Sequence, residues 1–125
     1  MNTTFIAPHF KWSEALVTDT GLDNTPDWYA KAMLVNTFRI LSRVREFCGF
    51  PLRINSAFRT PEVHEAVYKA QGKKPTKFSY HLHGRAVDIS IIGLNEKQVN
   101  KLYNNLLTWY PIEIYLTKTF IHVAF

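Results

Sequence analysis

Four of the five histidines, His64, His81, His83 and His122, fall in the second half of the chain. Two of them belong to the sharpest local pattern, Ser79-Tyr80-His81-Leu82-His83-Gly84-Arg85-Ala86-Val87-Asp88. Gly84 permits a tight bend that returns a loop histidine over the strand that follows. Asp88 lies within that strand, and His122 lies in a second strand near the C-terminus, with Phe120 and Ala124 on its face. Imidazoles from His81 and His122 with the Asp88 carboxylate would make a three-ligand zinc site whose fourth position is left to water. An open position is the mark of a catalytic rather than a structural zinc. Spacing alone leaves a second reading in place, in which Asp88 is a core carboxylate hydrogen-bonded by histidines and no metal is involved.

The elements that must carry these residues follow from local signals. The first 25 residues, with Pro8, Gly21 and Pro26 near their turns, read as an ordered arm anchored by Phe5, Phe10, Trp12 and Leu16. A long helix is expected to start with Thr25 as N-cap and Pro26 at its first position. Ala30, Leu34, Phe38, Leu41, Val44 and Cys48 form its apolar stripe, and Gly49 stops it. Cys48 falls on that stripe and reads as a small buried hydrophobe. Residues 52–56 alternate as a strand. Thr60-Pro61 opens a second helix with Val63, Ala66, Val67 and Ala70 inward, and residues 85–92 form a β-branched strand. Asn95 and Gln98 make a capping box for a third helix, and two strands near 112–116 and 119–125 flank a Thr117-Lys118 turn. Helices and strands mix without regular βαβ alternation. The expected fold class is therefore α+β, a small antiparallel sheet packed with helices.

Composition narrows the partners. The chain has 125 residues, 46% of them hydrophobic, which fits one domain over residues 1–125 and argues against disorder. No stretch approaches the roughly 18–20 apolar residues of a membrane span. A lone cysteine forms no internal disulfide, so the fold does not depend on an oxidising compartment. The net charge of +5 would attract polyanions in general. Its densest patch, Lys69, Lys73, Lys74 and Lys77, is short, has only Phe78 and Tyr80 beside it, and reads as a solvated loop, so no nucleic-acid partner is expected. The start MNTTFIAPHF carries no secretory signal. The expectation is cytoplasmic synthesis, as a monomer, with any work at the cell wall or periplasm requiring holin-like release or another export route.

The order of the site residues adds a resemblance. Ser79-x-His81-x-x-Gly84-x-Ala86-x-Asp88, followed by Phe120-Ile121-His122-Val123, resembles the zinc D-Ala-D-Ala carboxypeptidase family. That family includes phage L-alanyl-D-glutamate endopeptidases and shares its core with the hedgehog signalling domain. Ile54-Asn55-Ser56-Ala57-Phe58-Arg59-Thr60-Pro61 is similar to its Ser-Gly-Tyr-Arg-Ser-Pro segment. His9-Phe10-Lys11-Trp12-Ser13-Glu14 and Gly21-Leu22-Asp23-Asn24-Thr25-Pro26 are similar to the N-terminal signature of its short, phage-associated branch. The resemblance covers nearly the whole chain. It implies that His81, Asp88 and His122 hold Zn²⁺, that Arg59 holds a substrate carboxylate, and that Ser79 helps orient substrate or ligand. It further implies a peptidase acting on peptidoglycan stem peptides, of carboxypeptidase or endopeptidase type, as a phage or prophage endolysin would be. A zinc-containing, catalytically weak wall-binding module of the same fold is the alternative.

The general base is where the chain departs from this family. Many members have a Glu six residues before the last zinc histidine or an acid three before it, and here those places hold Leu116 and Thr119. Counting alternate residues back from His122 puts Leu116 on the metal side and Glu113 on the other, within reach only through a bulge or turn. Glu113, His83 and His64 are the candidate bases. Loss of a base typically costs about 10²–10⁴-fold, leaving a slow enzyme.

Overall fold

The computed structural model describes residues 4–125. The arm begins with a small hairpin, β1 (Phe5–Ala7) and β2 (Phe10–Lys11), then one helical turn, α1 (Trp12–Ala15). Phe10 is fully buried and meets Phe38 edge-on, whereas Phe5 is half exposed and is not one of the anchors. The long helix α2 (Trp28–Cys48) begins two residues later than expected. Asp27 caps it, its carboxylate accepting from the Ala30 N–H at 2.8 Å. Thr25 is otherwise engaged: its hydroxyl and N–H both donate to Asp23 Oδ1. A carboxylate at the positive end of the helix is a good cap, and it displaces the start past Pro26. The expected stripe from Ala30 to Cys48 is buried, and Gly49 closes the helix in the left-handed conformation.

β3 (Ile54–Ser56) leads to α3 (Pro61–Ala70), which starts as expected, with the Thr60 hydroxyl accepting from Val63 N–H and Pro61 in the first turn. After a basic loop comes a 3₁₀ turn at Tyr80–His83 and then β4 (Ala86–Ser90). The Asn95–Gln98 capping box opens α4 (Glu96–Leu107), which packs on α2. β5 (Glu113–Leu116) and β6 (Phe120–Ala124) close the chain.

The main sheet has the order β3-β4-β6-β5 with every pair antiparallel, which makes the fold α+β. Alternation along β4 and β6 sends Val87, Ile89, Ile121 and Val123 into the core, together with Leu34, Phe38, Leu41, Leu102 and Leu106 from the helices. The opposite face carries Asp88 and His122. Directly opposed residues of an antiparallel pair share a face, and the register pairs Ser56 with Asp88, Asp88 with His122, and His122 with Tyr115. One row of polar and aromatic side chains thus crosses all four strands.

That register corrects the parity count. Thr117 N–H donates to the Phe120 carbonyl, leaving two residues, Lys118 and Thr119, at the tip of the hairpin. A two-residue tip pairs odd with even positions, so Tyr115 lies opposite His122 and Glu113 opposite Ala124. Leu116 pairs with Ile121, on the core-facing side, and is half exposed at the sheet edge rather than turned to the metal side. Glu113 needs no bulge to share the His122 face.

Candidate metal centre

Each candidate ligand is held by its own local device. His81 sits in the 3₁₀ turn, whose start is capped by the Ser79 hydroxyl accepting from His81 N–H at 3.2 Å. The turn ends at Gly84, with φ +71°, and a Cβ there would lie 2.7 Å from the Ala30 carbonyl oxygen of α2. Thr37 Oγ1 of the same helix donates to the Gly84 carbonyl at 2.8 Å. Gly84 therefore lets the turn lie directly on α2 and aims His81 at the sheet. Asp88 and His122 are opposed on β4 and β6, in the middle of a buried ladder.

The donor atoms converge. One nitrogen each from His81 and His122 and one oxygen from Asp88 all lie within 4.8 Å of one another. His81 Nδ1 is 2.6 Å from the Ala57 carbonyl, which can only accept. Nδ1 therefore carries the proton, and the Nε2 lone pair faces Asp88 Oδ2 at 3.3 Å. A lone pair facing a carboxylate oxygen is repulsive unless a proton or a metal ion lies between them. His122 has Nδ1 at 2.8 Å from Asp88 Oδ1 and Nε2 at 2.8 Å from Glu113 Oε1, an imidazole bracketed by two carboxylates. Burial opposes charge on His122, but the hydrogen bonds to Asp88 and Glu113 outweigh it and hold the ring above its ordinary value. Burial likewise opposes ionisation of Asp88, and the polar contacts with His122 and then His81 overcome it, keeping the carboxyl well below the usual range. Two nitrogens and one ionised oxygen, with one histidine already fixed through its far nitrogen by a carbonyl, are a donor set that suits a divalent metal ion.

The cluster lies in a cleft of about 560 Å³ walled by α3, the basic loop and β5. Arg59 lines it, donating from Nε to Ser56 Oγ at 3.1 Å and holding Nη2 3.8 Å from Asp88 Oδ2. Its own N–H donates to the His81 carbonyl, so the Arg59 and His81 segments are tied together. A second cavity of about 240 Å³ borders the cleft, sharing Asn55, Ser56, Arg59 and Val67 and adding Val17, Asp19 and Val63.

Of the candidate bases, the structure brings Glu113 to the cleft and to His122. His83 is exposed, packs against the Phe78 ring with centroids 5.6 Å apart, and does not line the cleft. His64 is buried in α3 and bonded through Nε2 to Thr76. Ser79 lines the cleft while serving as the cap.

With this geometry in hand, the comparison with known families is decisive: the sequence profile of Peptidase M15 matches residues 8–124. The chain belongs to the Peptidase M15 family. No curated protein matches it. The M15 match runs from the turn between β1 and β2 to the end of β6, so it includes His81, Asp88, His122, Arg59, Ser79 and Glu113. The α+β fold and the His-Asp-His group agree with that membership.

Two residues in and around this M15 site have roles that no local sequence signal gives. Tyr115 stacks on His122 with ring centroids 4.6 Å apart, and it becomes visible only once the hairpin register is known. Burial, then the negative charges of Asp88 and Glu113, push its phenol up and keep it neutral. Asn24 is buried and spans two segments, donating to the Leu16 and Phe58 carbonyls and accepting from Thr60 N–H. It lies in the Gly21–Pro26 segment that is similar to the family's N-terminal signature, and it fastens the arm to the strand-to-helix connection that carries Arg59.

Proposed function

We propose that this M15 chain is a zinc-dependent peptidase that hydrolyses an amide bond in peptidoglycan stem peptides. The observation that carries the reading is the convergence of His81, Asp88 and His122 on the floor of a cleft that also presents Arg59. His81 and His122 would supply the neutral nitrogens and Asp88 the anionic oxygen. When bound, zinc supplies Lewis-acid polarisation of the scissile carbonyl and acidification of water. Arg59, already oriented by Ser56, offers a planar fork for a substrate carboxylate. Ser79 keeps the His81 turn in place and presents its edge to the cleft.

A second cavity lies against the cleft on shared residues including Arg59, and this favours cleavage within a peptide over removal of a terminal residue. A carboxypeptidase needs a wall beyond the group that binds the terminal carboxylate. A γ-linked D-glutamate carries a free α-carboxylate in mid-chain, which Arg59 could hold while the peptide continues into the second cavity.

The second reading, a weak or inactive wall-binding module, is favoured by one observation: among the described residues, the carboxylates lining the main cleft are Asp88 and Glu113, and both are engaged with His122. The test is incubation of zinc-loaded protein with purified murein, reading new amino termini by labelling and mass. The proposal expects release that is absent in His81→Ala. Binding to murein with no release at any pH supports the module, and neither binding nor release contradicts both. Release by lysis or another export route, and a monomeric state, are part of the same proposal. Among the described residues no helix is long and apolar enough to cross a membrane.

A further inference from the structure

We infer that Glu113 is a positioning residue for His122, fixing which imidazole nitrogen is turned to the metal, and is not the base that takes a proton from water. The inference rests on the reading of the cluster as a metal site. His122 has two nitrogens, and a ring free to flip by 180° could present either. Glu113 Oε1 lies 2.8 Å from Nε2, while Nδ1 lies 2.8 Å from Asp88 Oδ1. Glu113 falls outside the group of donors within 4.8 Å of one another. Both nitrogens face a carboxylate, but only Asp88 belongs to the converging donors, so a metal ion would take the Nδ1 lone pair beside Asp88 and His81 while Nε2 keeps its proton toward Glu113.

The two ligand histidines then share one logic with opposite atoms. A backbone carbonyl, Ala57, holds His81 at Nδ1 and frees Nε2, whereas a side-chain carboxylate, Glu113, holds His122 at Nε2 and frees Nδ1. Partners of this kind orient the ring and raise its basicity, and their loss typically costs about 10–100-fold in metal affinity or activity. Tyr115 stacks on the same ring and stops it from tilting as Glu113 stops it from turning over. A base, in contrast, must face the water and keep its own lone pair free. Glu113 uses that oxygen on His122.

The experiment is Zn²⁺ affinity by competition with a chromophoric chelator for the wild type, Glu113→Ala and Glu113→Gln. It is paired with detection of the His122 Nε2 proton by ¹⁵N-resolved NMR. The inference expects Glu113→Ala to bind zinc about 10–100-fold more weakly and to lose the slowly exchanging Nε2 proton. Glu113→Gln, whose amide oxygen still accepts, should stay within a few-fold of wild type and retain murein turnover. Unchanged affinity and an unchanged proton signal in Glu113→Ala would overturn it. So would a Glu113→Gln protein that binds zinc normally but has lost turnover, the signature of a base. If the wild type binds no zinc, the metal reading itself fails, while the Nε2 proton in the metal-free protein still reports whether Glu113 holds His122.

Discussion

The ring of Tyr115 lies nearly parallel to that of His122, 18° between planes and 4.6 Å between centroids. The pairing follows from register, since the two residues are directly opposed on β5 and β6. An aromatic pair of this kind is worth about 0.5–1.5 kcal/mol beyond area burial. Tyr115→Ala should therefore weaken zinc binding by about 2–10-fold, and Tyr115→Phe, which keeps the ring, should change it by less than twofold. Chelator competition on the three proteins checks this, and a Tyr115→Phe loss equal to that of alanine would assign the effect to the hydroxyl.

Gly84 is the least replaceable residue near the site. Its φ of +71° suits glycine, and a Cβ would meet the Ala30 carbonyl at 2.7 Å, a backbone atom that cannot step aside. Gly84→Ala should cost at least about 1–3 kcal/mol from the backbone conformation alone, with the clash adding to it. Denaturant melts of the metal-free protein measure the loss. Because the turn must lift off α2, the surviving folded fraction should also bind zinc more weakly.

Asn24 satisfies three backbone groups on two segments, and its removal strands at least the Phe58 carbonyl and Thr60 N–H in a buried setting. Each such group costs about 1–3 kcal/mol when left unmade. Asn24→Ala should lower stability accordingly and raise KM for murein fragments more than it lowers kcat, because the Arg59 segment loosens while the Asp88–His122 pairing stays intact. Equal stability of the two proteins would show that water replaces the amide at no cost.

Sequence signals reached different depths in different parts of this chain. Caps at Thr60 and Asn95 are read correctly because the cap, the N–H it accepts from and the apolar stripe lie within four residues. The sequence places the start of the long helix two positions too early because Thr25, Pro26 and Asp27 are each good starting residues, and an Asp23 contact outside the helix decides between them. The group His81, Asp88 and His122 is legible as a pattern whose members fold together. Glu113 and Tyr115 are not, since their face depends on a two-residue hairpin tip that shifts the count by one. Asn24 illustrates the same limit at longer range: a polar side chain with partners up to 36 positions away has no local signature.

His64 gives the pH prediction. Burial holds its imidazole below the ordinary value of 6.5, with Arg59 and His81 adding to the effect and the hydrogen bond to the Thr76 carbonyl opposing it. The unfolded chain therefore binds the proton first as the pH falls. The stability held by neutral His64 is fully present above about pH 6.5 and is lost as the pH drops through the lower folded value. His64→Gln should flatten the acid side of the stability profile below about pH 6.5, relative to wild type measured in parallel. Superimposable profiles would show that His64 charges as readily in the folded protein as in the unfolded one.

The most direct test is the zinc content of the purified protein after dialysis against trace zinc, measured by mass spectrometry for the wild type, His81→Ala and His122→Ala, with circular dichroism alongside. The account predicts one ion per chain in the wild type and none in either variant, with the helix and strand signal preserved in all three. A wild type that holds no zinc, or variants that retain a full equivalent, would contradict it.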